Sequence, residues 1–145
     1  MRRTLTLLAI AALALLAFQF VQADARYHAQ KVVYHINFTG GEKNKRYFAT
    51  LRNIQNHINA VGKEELDIRV VMNGDGVYLL REAKHDTTLQ QRVLNLKEQG
   101  VKFQVCANTL KGRKIDYEKD LFDVWEEDIV PSGVAEVGEL QMKGF

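Results

Sequence analysis

The sequence of 145 residues has one cysteine, one proline and one tryptophan. A single cysteine excludes an internal disulfide framework and any cysteine-rich metal site. The four histidines show no metal-ligand spacing, so we expect no metal. They are His28, His35, His57 and His85.

Phosphate-binding motifs are also scarce. No Walker loop is present, and "GDGVYL" has two of the three glycines of a dinucleotide fingerprint. Asp75 in that segment would repel a phosphate. The sequence therefore predicts no cofactor.

Apart from its N-terminal segment, the chain has no excess of charge of either sign. Arg2 and Arg3 account for the formal net charge of +2, because the rest of the chain has equal numbers of basic and acidic residues. A nucleic-acid partner normally requires a basic stripe. We therefore expect no nucleic-acid partner.

The N-terminus has the layout of a secretory signal. Arg2 and Arg3 precede an uncharged apolar run from Leu5 to Phe20, and small residues stand at the usual cleavage positions before Asp24. We predict a cleaved signal peptide over 1–23, one mature domain over 24–145, and a periplasmic or secreted bacterial protein with no membrane contact after cleavage. An uncleaved anchor is the alternative, although the run falls slightly short of the roughly 20 residues that span a bilayer.

Strand-like and helix-like segments alternate along the rest of the chain. This order predicts a single-domain α/β fold with a mainly parallel sheet flanked by helices. The apolar run over 31–38 is typical of a strand covered on both faces. The predicted strands are 31–38, 66–72, 101–106 and the start of 128–133, and the predicted helices include 44–61, 77–83 and one from Val134 to about Lys143.

Another helix is predicted after residue 86. Thr87 and Gln90 have the spacing of a capping box, Leu89 and Val93 begin an apolar stripe, and Gly100 is placed as the C-terminal cap.

An acidic segment follows. Between Asp116 and Asp128, seven acids surround one base, Lys119. The pattern is typical of a solvated helix face and loop, and an acidic docking surface is the alternative.

Ligands of an open parallel sheet bind at the carboxyl ends of its strands, where loops converge and helix amides point outward. We predict a substrate or ligand edge there, with Cys106 at the boundary between the third strand and a helix-like stretch. Its residues are Asn73, Gly74, Gly76, Ala107, Asn108, Thr109, Ser132 and Gly133. Amides at a helix start favour thiolate, the nucleophilic form of cysteine. The alternative is a buried cysteine that acts as a small apolar side chain.

Several segments resemble the DsrE/DsrF-like family, whose better-known members act in intracellular sulfur oxidation and sulfur relay. They are "NGDGVYLL", "VKFQVCANTL" and "IVPSGVAEVGELQMKGF", and the resemblance runs over about 31–145. It implies a small three-layer, flavodoxin-like α/β domain that assembles as a trimer or hexamer. It also implies that Cys106 occupies the place of the persulfide-carrying cysteine, with a sulfur donor or acceptor protein as partner.

Three classes of function remain open on these grounds. The first is a periplasmic sulfur carrier or sulfurtransferase that uses Cys106. The alternative is a non-catalytic oligomeric module that binds a small ligand or a protein, with Cys106 structural. A flavin or nucleotide protein is a third class.

Overall fold

Four parallel strands form one sheet in the order β1-β2-β3-β4 in the computed structural model, which describes residues 26–145. All four predicted strands are present, and the predicted single-domain parallel α/β fold is confirmed. They are β1 Gln30–Ile36, β2 Leu66–Met72, β3 Lys102–Cys106 and β4 Ile129–Val130. The predicted signal segment, 1–23, lies outside the described residues.

Six α-helices connect and follow these strands within the described chain. They are α1 Lys45–Val61, α2 Tyr78–Ala83, α3 Thr87–Glu98, α4 Ala107–Arg113, α5 Tyr117–Asp120 and α6 Gly133–Met142. Short 3-10 turns lie at Glu42–Asn44, Lys63–Glu65, Gly74–Val77 and Glu126–Asp128. From residue 26 onward, no helix is both long and apolar enough to cross a bilayer.

The main core lies between one face of the sheet and α1 and α3. Tyr34, Val70 and Phe103 are opposite one another across three strands and point to this face. The apolar stripes of the two helices cover them, because residues at three- and four-residue steps share one side of a helix. These stripes consist of Leu51, Ile54 and Ile58 in α1 and Leu89, Val93 and Leu96 in α3.

The second face of the sheet lies under α6, which packs across β1, β2 and β3. His35, Val71 and Gln104 are aligned on this face. Gln104 Nε2 donates to Glu136 Oε1 of α6 at 2.9 Å. The sheet is thus covered on both sides, but among residues 26–145 the second cover is a single helix of ten residues.

The first strand differs from its prediction. We expected it to be covered on both faces, but β1 lies at the edge of the sheet and most of its residues are only half-buried. The reason is topological, since in the described part of the chain β1 has one strand neighbour and α6 covers its second face only in part.

The cap of α3 is also different. Asp86 stands at the N-cap, and its carboxylate accepts from the amides of Thr88 at 2.9 Å and Leu89 at 3.1 Å. The predicted capping box at Thr87 and Gln90 is therefore wrong. Thr87 is already inside the helix, because the aspartate before it satisfies the first free amides.

We expect Asp86→Ala to lower the free energy of unfolding by about 1 kcal/mol, the usual cost of losing a side-chain cap. Thr87→Ala is the matched control and should change stability by less than half of that. Urea denaturation of the two variants compares them directly. A larger loss in the Thr87 variant would contradict the assignment of the cap.

Candidate functional site

Cys106 is the last residue of β3 and comes directly before α4. It pairs with Val130 of β4 and is buried, with 4% of its surface exposed. The predicted change from strand to helix at this residue is confirmed. The thiol is free in this single chain.

Several donors surround the sulfur of Cys106. Burial raises the pKa of this thiol, but the Gly133 amide, the Thr109 hydroxyl and the amides of Thr109 and Asn108 outweigh burial and leave the pKa below its ordinary value. The side chain makes no capping hydrogen bond to α4, which agrees with the weakness of a neutral thiol as an acceptor. The donors therefore act mainly on the thiolate, the form that attacks electrophiles.

Thr109 connects the thiol to the loop after β2. The Gly74 amide donates to Thr109 Oγ1 at 2.9 Å. Since the hydroxyl oxygen accepts this amide proton, its own hydrogen is available to the sulfur. The loop thus orients a donor toward Cys106.

Gly133 brings the start of α6 against the site. A Cβ at this position would lie 2.9 Å from Asn73 Cβ and 3.2 Å from Cys106 Cβ. Both distances are shorter than ordinary contacts, so only glycine lets the backbone of α6 approach this closely. The approach explains how the Gly133 amide reaches the sulfur.

Asn73 is fixed by a histidine of β1. Its Oδ1 lies 2.7 Å from His35 Nε2. Because an amide oxygen can only accept, this contact requires a hydrogen on Nε2. His35 was not among the predicted edge residues, although strand alternation puts it on the same sheet face as Cys106.

The loop from Asn73 to Val77 is held at several points. Tyr47 Oη donates to the Asp75 carbonyl at 2.7 Å, and Arg113 Nη2 lies 2.7 Å from Asp75 Oδ1. Gly76 is buried, and a Cβ there would lie 1.8 Å from the Ile36 carbonyl oxygen. Gly76 therefore packs the loop against β1 and serves the shape of the site.

The predicted edge residues meet at the carboxyl ends of the strands, but they differ in accessibility. Asn73 and Gly133 adjoin Cys106, while Gly74 reaches Thr109. Asn108 is exposed, and Ala107 and Ser132 are half-buried. Within residues 26–145, no cluster of three or more His, Cys, Asp or Glu side chains could hold a metal ion.

A parallel α/β domain with its only thiol at the carboxyl edge of the sheet is the class of protein that these features define. The profile of the DsrE/DsrF-like family matches residues 30–145, and the chain belongs to this family. Sulfur-relay chemistry is thereby supported at the level of the family.

A solved structure has the same fold. It is a protein of unknown function from Methanobacterium thermoautotrophicum, which is 31% identical and superposes with a TM-score of 0.66. The match covers 80% of this chain and 95% of that protein. No curated protein matches the sequence.

Proposed function

We propose that this protein carries sulfane sulfur as a persulfide on Cys106 and passes it to a partner thiol. The observation that carries the proposal is the position of the lone thiol at the end of β3, where the starts of α4 and α6 meet. The donors at that position lower the pKa of the thiol. Membership of the DsrE/DsrF-like family supports the same class of chemistry.

The reaction is the transfer of one sulfur atom in two displacements. In the first, the Cys106 thiolate attacks the outer sulfur of a donor persulfide, R–S–SH. The donor S–S bond breaks, its thiolate R–S⁻ leaves, and Cys106 becomes Cys–S–SH. In the second, an acceptor thiolate attacks the outer sulfur, and Cys106 leaves as thiolate. No external oxidant or reductant is consumed.

The surrounding groups suit both displacements. The Gly133 and Thr109 donors stabilise negative charge on the sulfur, and Cys106 is an anion before the first attack and after the second. Hydrogen bonds to a charged group contribute about 1.5 to 3 kcal/mol each. The same donors therefore assist loading and release.

The proposal includes the periplasm as compartment, on the basis of the signal-like sequence over 1–23. It also includes a homo-oligomer, a trimer or hexamer, and a separate donor or acceptor protein. Val134 and Met142 on α6, 61% and 87% exposed, are apolar side chains suited to a subunit contact. Light scattering at micromolar concentration tests assembly, and a clean monomer would contradict it.

Incubation of the mature protein with glutathione persulfide, thiosulfate or polysulfide tests the transfer. We expect intact mass to increase by one sulfur atom and the addition to map to Cys106. The Cys106→Ser variant should gain nothing under the same conditions. Wild-type protein that gains no sulfur from any donor would refute the proposal.

A second candidate function is a non-catalytic oligomeric binding module in which Cys106 is structural. The 4% exposure of Cys106 favours it, since buried cysteines often act as small apolar side chains. This function predicts that Cys106→Ser keeps the binding partners and the phenotype of the wild type. Loss of both in a folded Cys106→Ser protein would exclude it.

A further inference from the structure

A groove separate from the thiol lies in the segment between α4 and β4. Its apolar wall comes from Tyr117, Leu121 and Trp125, and its acidic side chains include Glu118, Glu126 and Glu127. Its volume is about 560 Å³, enough for one or two long side chains. We call it the Trp125 groove; none of the residues around Cys106 lines it.

Trp125 is an exposed aromatic side chain with a fixed position. It is 62% exposed, yet its indole Nε1 donates to Asp123 Oδ1 at 3.2 Å. Asp123 Oδ2 in turn lies 2.8 Å from Lys97 Nζ. A ring held in this way loses little conformational entropy when a partner covers it, and tryptophan is enriched among residues that dominate binding energy.

The groove carries uncompensated negative charge. Lys97 offsets Asp123, and Lys119, the only base of the segment, pairs with Asp116 at 2.8 Å. By contrast, Glu118, Glu126 and Glu127 are exposed and form no salt bridge with any residue from 26 to 145.

Tyr117 experiences this charge. Burial raises the pKa of its hydroxyl, and the carboxylates of Glu118 and Glu126 raise it further. Two acidic side chains from different parts of the segment therefore act on the Tyr117 hydroxyl, and all three residues line the groove.

We propose that the Trp125 groove binds an arginine or lysine side chain presented by an exposed segment of another protein. A cation over an aromatic face is attracted by the ring, and carboxylates beside it add charge-assisted hydrogen bonds. Arginine fits best, because its planar guanidinium stacks on an indole and pairs with carboxylates. A symmetric contact between two copies of the groove would place like charges together, which disfavours it.

The single tryptophan makes the test direct, since all tryptophan fluorescence of the protein comes from Trp125. The probe is acetyl-Gly-Arg-Gly-Arg-Gly-amide, compared with the same peptide carrying citrulline, which keeps the shape of arginine and removes its charge. We expect a saturable fluorescence change with the arginine peptide. The citrulline peptide should bind at least roughly tenfold more weakly, a difference of about 1.4 kcal/mol in binding free energy.

A charge-matched pair of variants places the binding in the groove. In the first variant three groove acids are neutralised together, by Glu118→Gln, Glu126→Gln and Glu127→Gln. This variant should bind the arginine peptide about tenfold more weakly. Glu64→Gln with Glu65→Gln and Glu139→Gln removes the same number of exposed acids elsewhere and should leave affinity unchanged. Trp125→Leu, measured by calorimetry, should also weaken binding, because it removes the aromatic face.

Three results would overturn the proposal. The first is equal weakening in both triple variants, which would show general attraction to an acidic protein. The second is equal affinity for the arginine and citrulline peptides. The third is a change of oligomer size in light scattering of the groove triple variant or of Trp125→Leu, which would make the occupant a second copy of this chain.

Discussion

Gly76→Ala should lose at least about 3 kcal/mol of unfolding free energy, a large part of the stability of a domain of this size. An added Cβ would lie 1.8 Å from the Ile36 carbonyl oxygen and 2.4 Å from its carbon. Both are backbone atoms of β1, so no flexible side chain can move aside. The loop after β2 must separate from the strand, which also strains the hydrogen bond from the Asn73 amide to the Ile36 carbonyl.

Urea denaturation, with the free energy of unfolding extrapolated linearly to water, measures this loss. Gly112→Ala is the matched control. Gly112 lies inside α4, and an added Cβ there has no atom within 4 Å. The control should therefore be stabilised by about 0.5 to 1 kcal/mol, the usual gain of alanine over glycine in a helix. Similar stability in the two variants would contradict the close approach at Gly76.

Gly133→Ala should decrease the reactivity of Cys106 at neutral pH by roughly tenfold. The new Cβ meets Asn73 Cβ at 2.9 Å and Cys106 Cβ at 3.2 Å, so the start of α6 must move away from the site. That movement withdraws the Gly133 amide from the sulfur. Loss of one hydrogen bond to a charged group costs about 1.5 kcal/mol. A cost of this size lowers the population of thiolate by roughly tenfold.

Alkylation by iodoacetamide as a function of pH measures the effect, since the thiolate is the form that reacts. The pKa of Cys106 is lowered in the folded protein, so the midpoint should move toward higher pH in the variant. Gly138→Ala is the control, because it lies in the same helix with open space around it. An unchanged pH profile in the Gly133 variant would show that this amide does not stabilise the thiolate.

The sequence was sufficient to predict the elements that depend on local patterns. Apolar or alternating segments predicted all four strands, and the three- and four-residue steps of apolar residues such as Leu51, Ile54 and Ile58 predicted the longest helix. Side chains alternate along β3, so Phe103 and Cys106 lie on opposite faces of the strand, and Phe103 belongs to the core. These features depend on neighbours a few residues apart, which a sequence displays directly.

Features that join distant segments were not predictable in the same way. His35 and Asn73 are 38 residues apart, and the sequence does not indicate that they pair. The Asp86 cap was missed for a different reason. Asp86 and Thr87 are both good N-cap residues. Which of them is the cap depends on the residue at which the backbone becomes helical, and the sequence does not fix that residue.

The position of α6 has a consequence for the order in which the thiol environment is completed. The amide of Gly133 belongs to the last helix, whereas Asn73, Cys106 and Thr109 come from the loop after β2, the end of β3 and α4, which precede it in the chain. A folding intermediate without docked α6 would therefore carry a more accessible thiol that lacks one of its donors. Thiol labelling during refolding should then report the docking of α6 itself, separately from formation of the core under α1 and α3. In the native protein, we expect the free energy of opening α6 to control how fast bulky reagents reach Cys106.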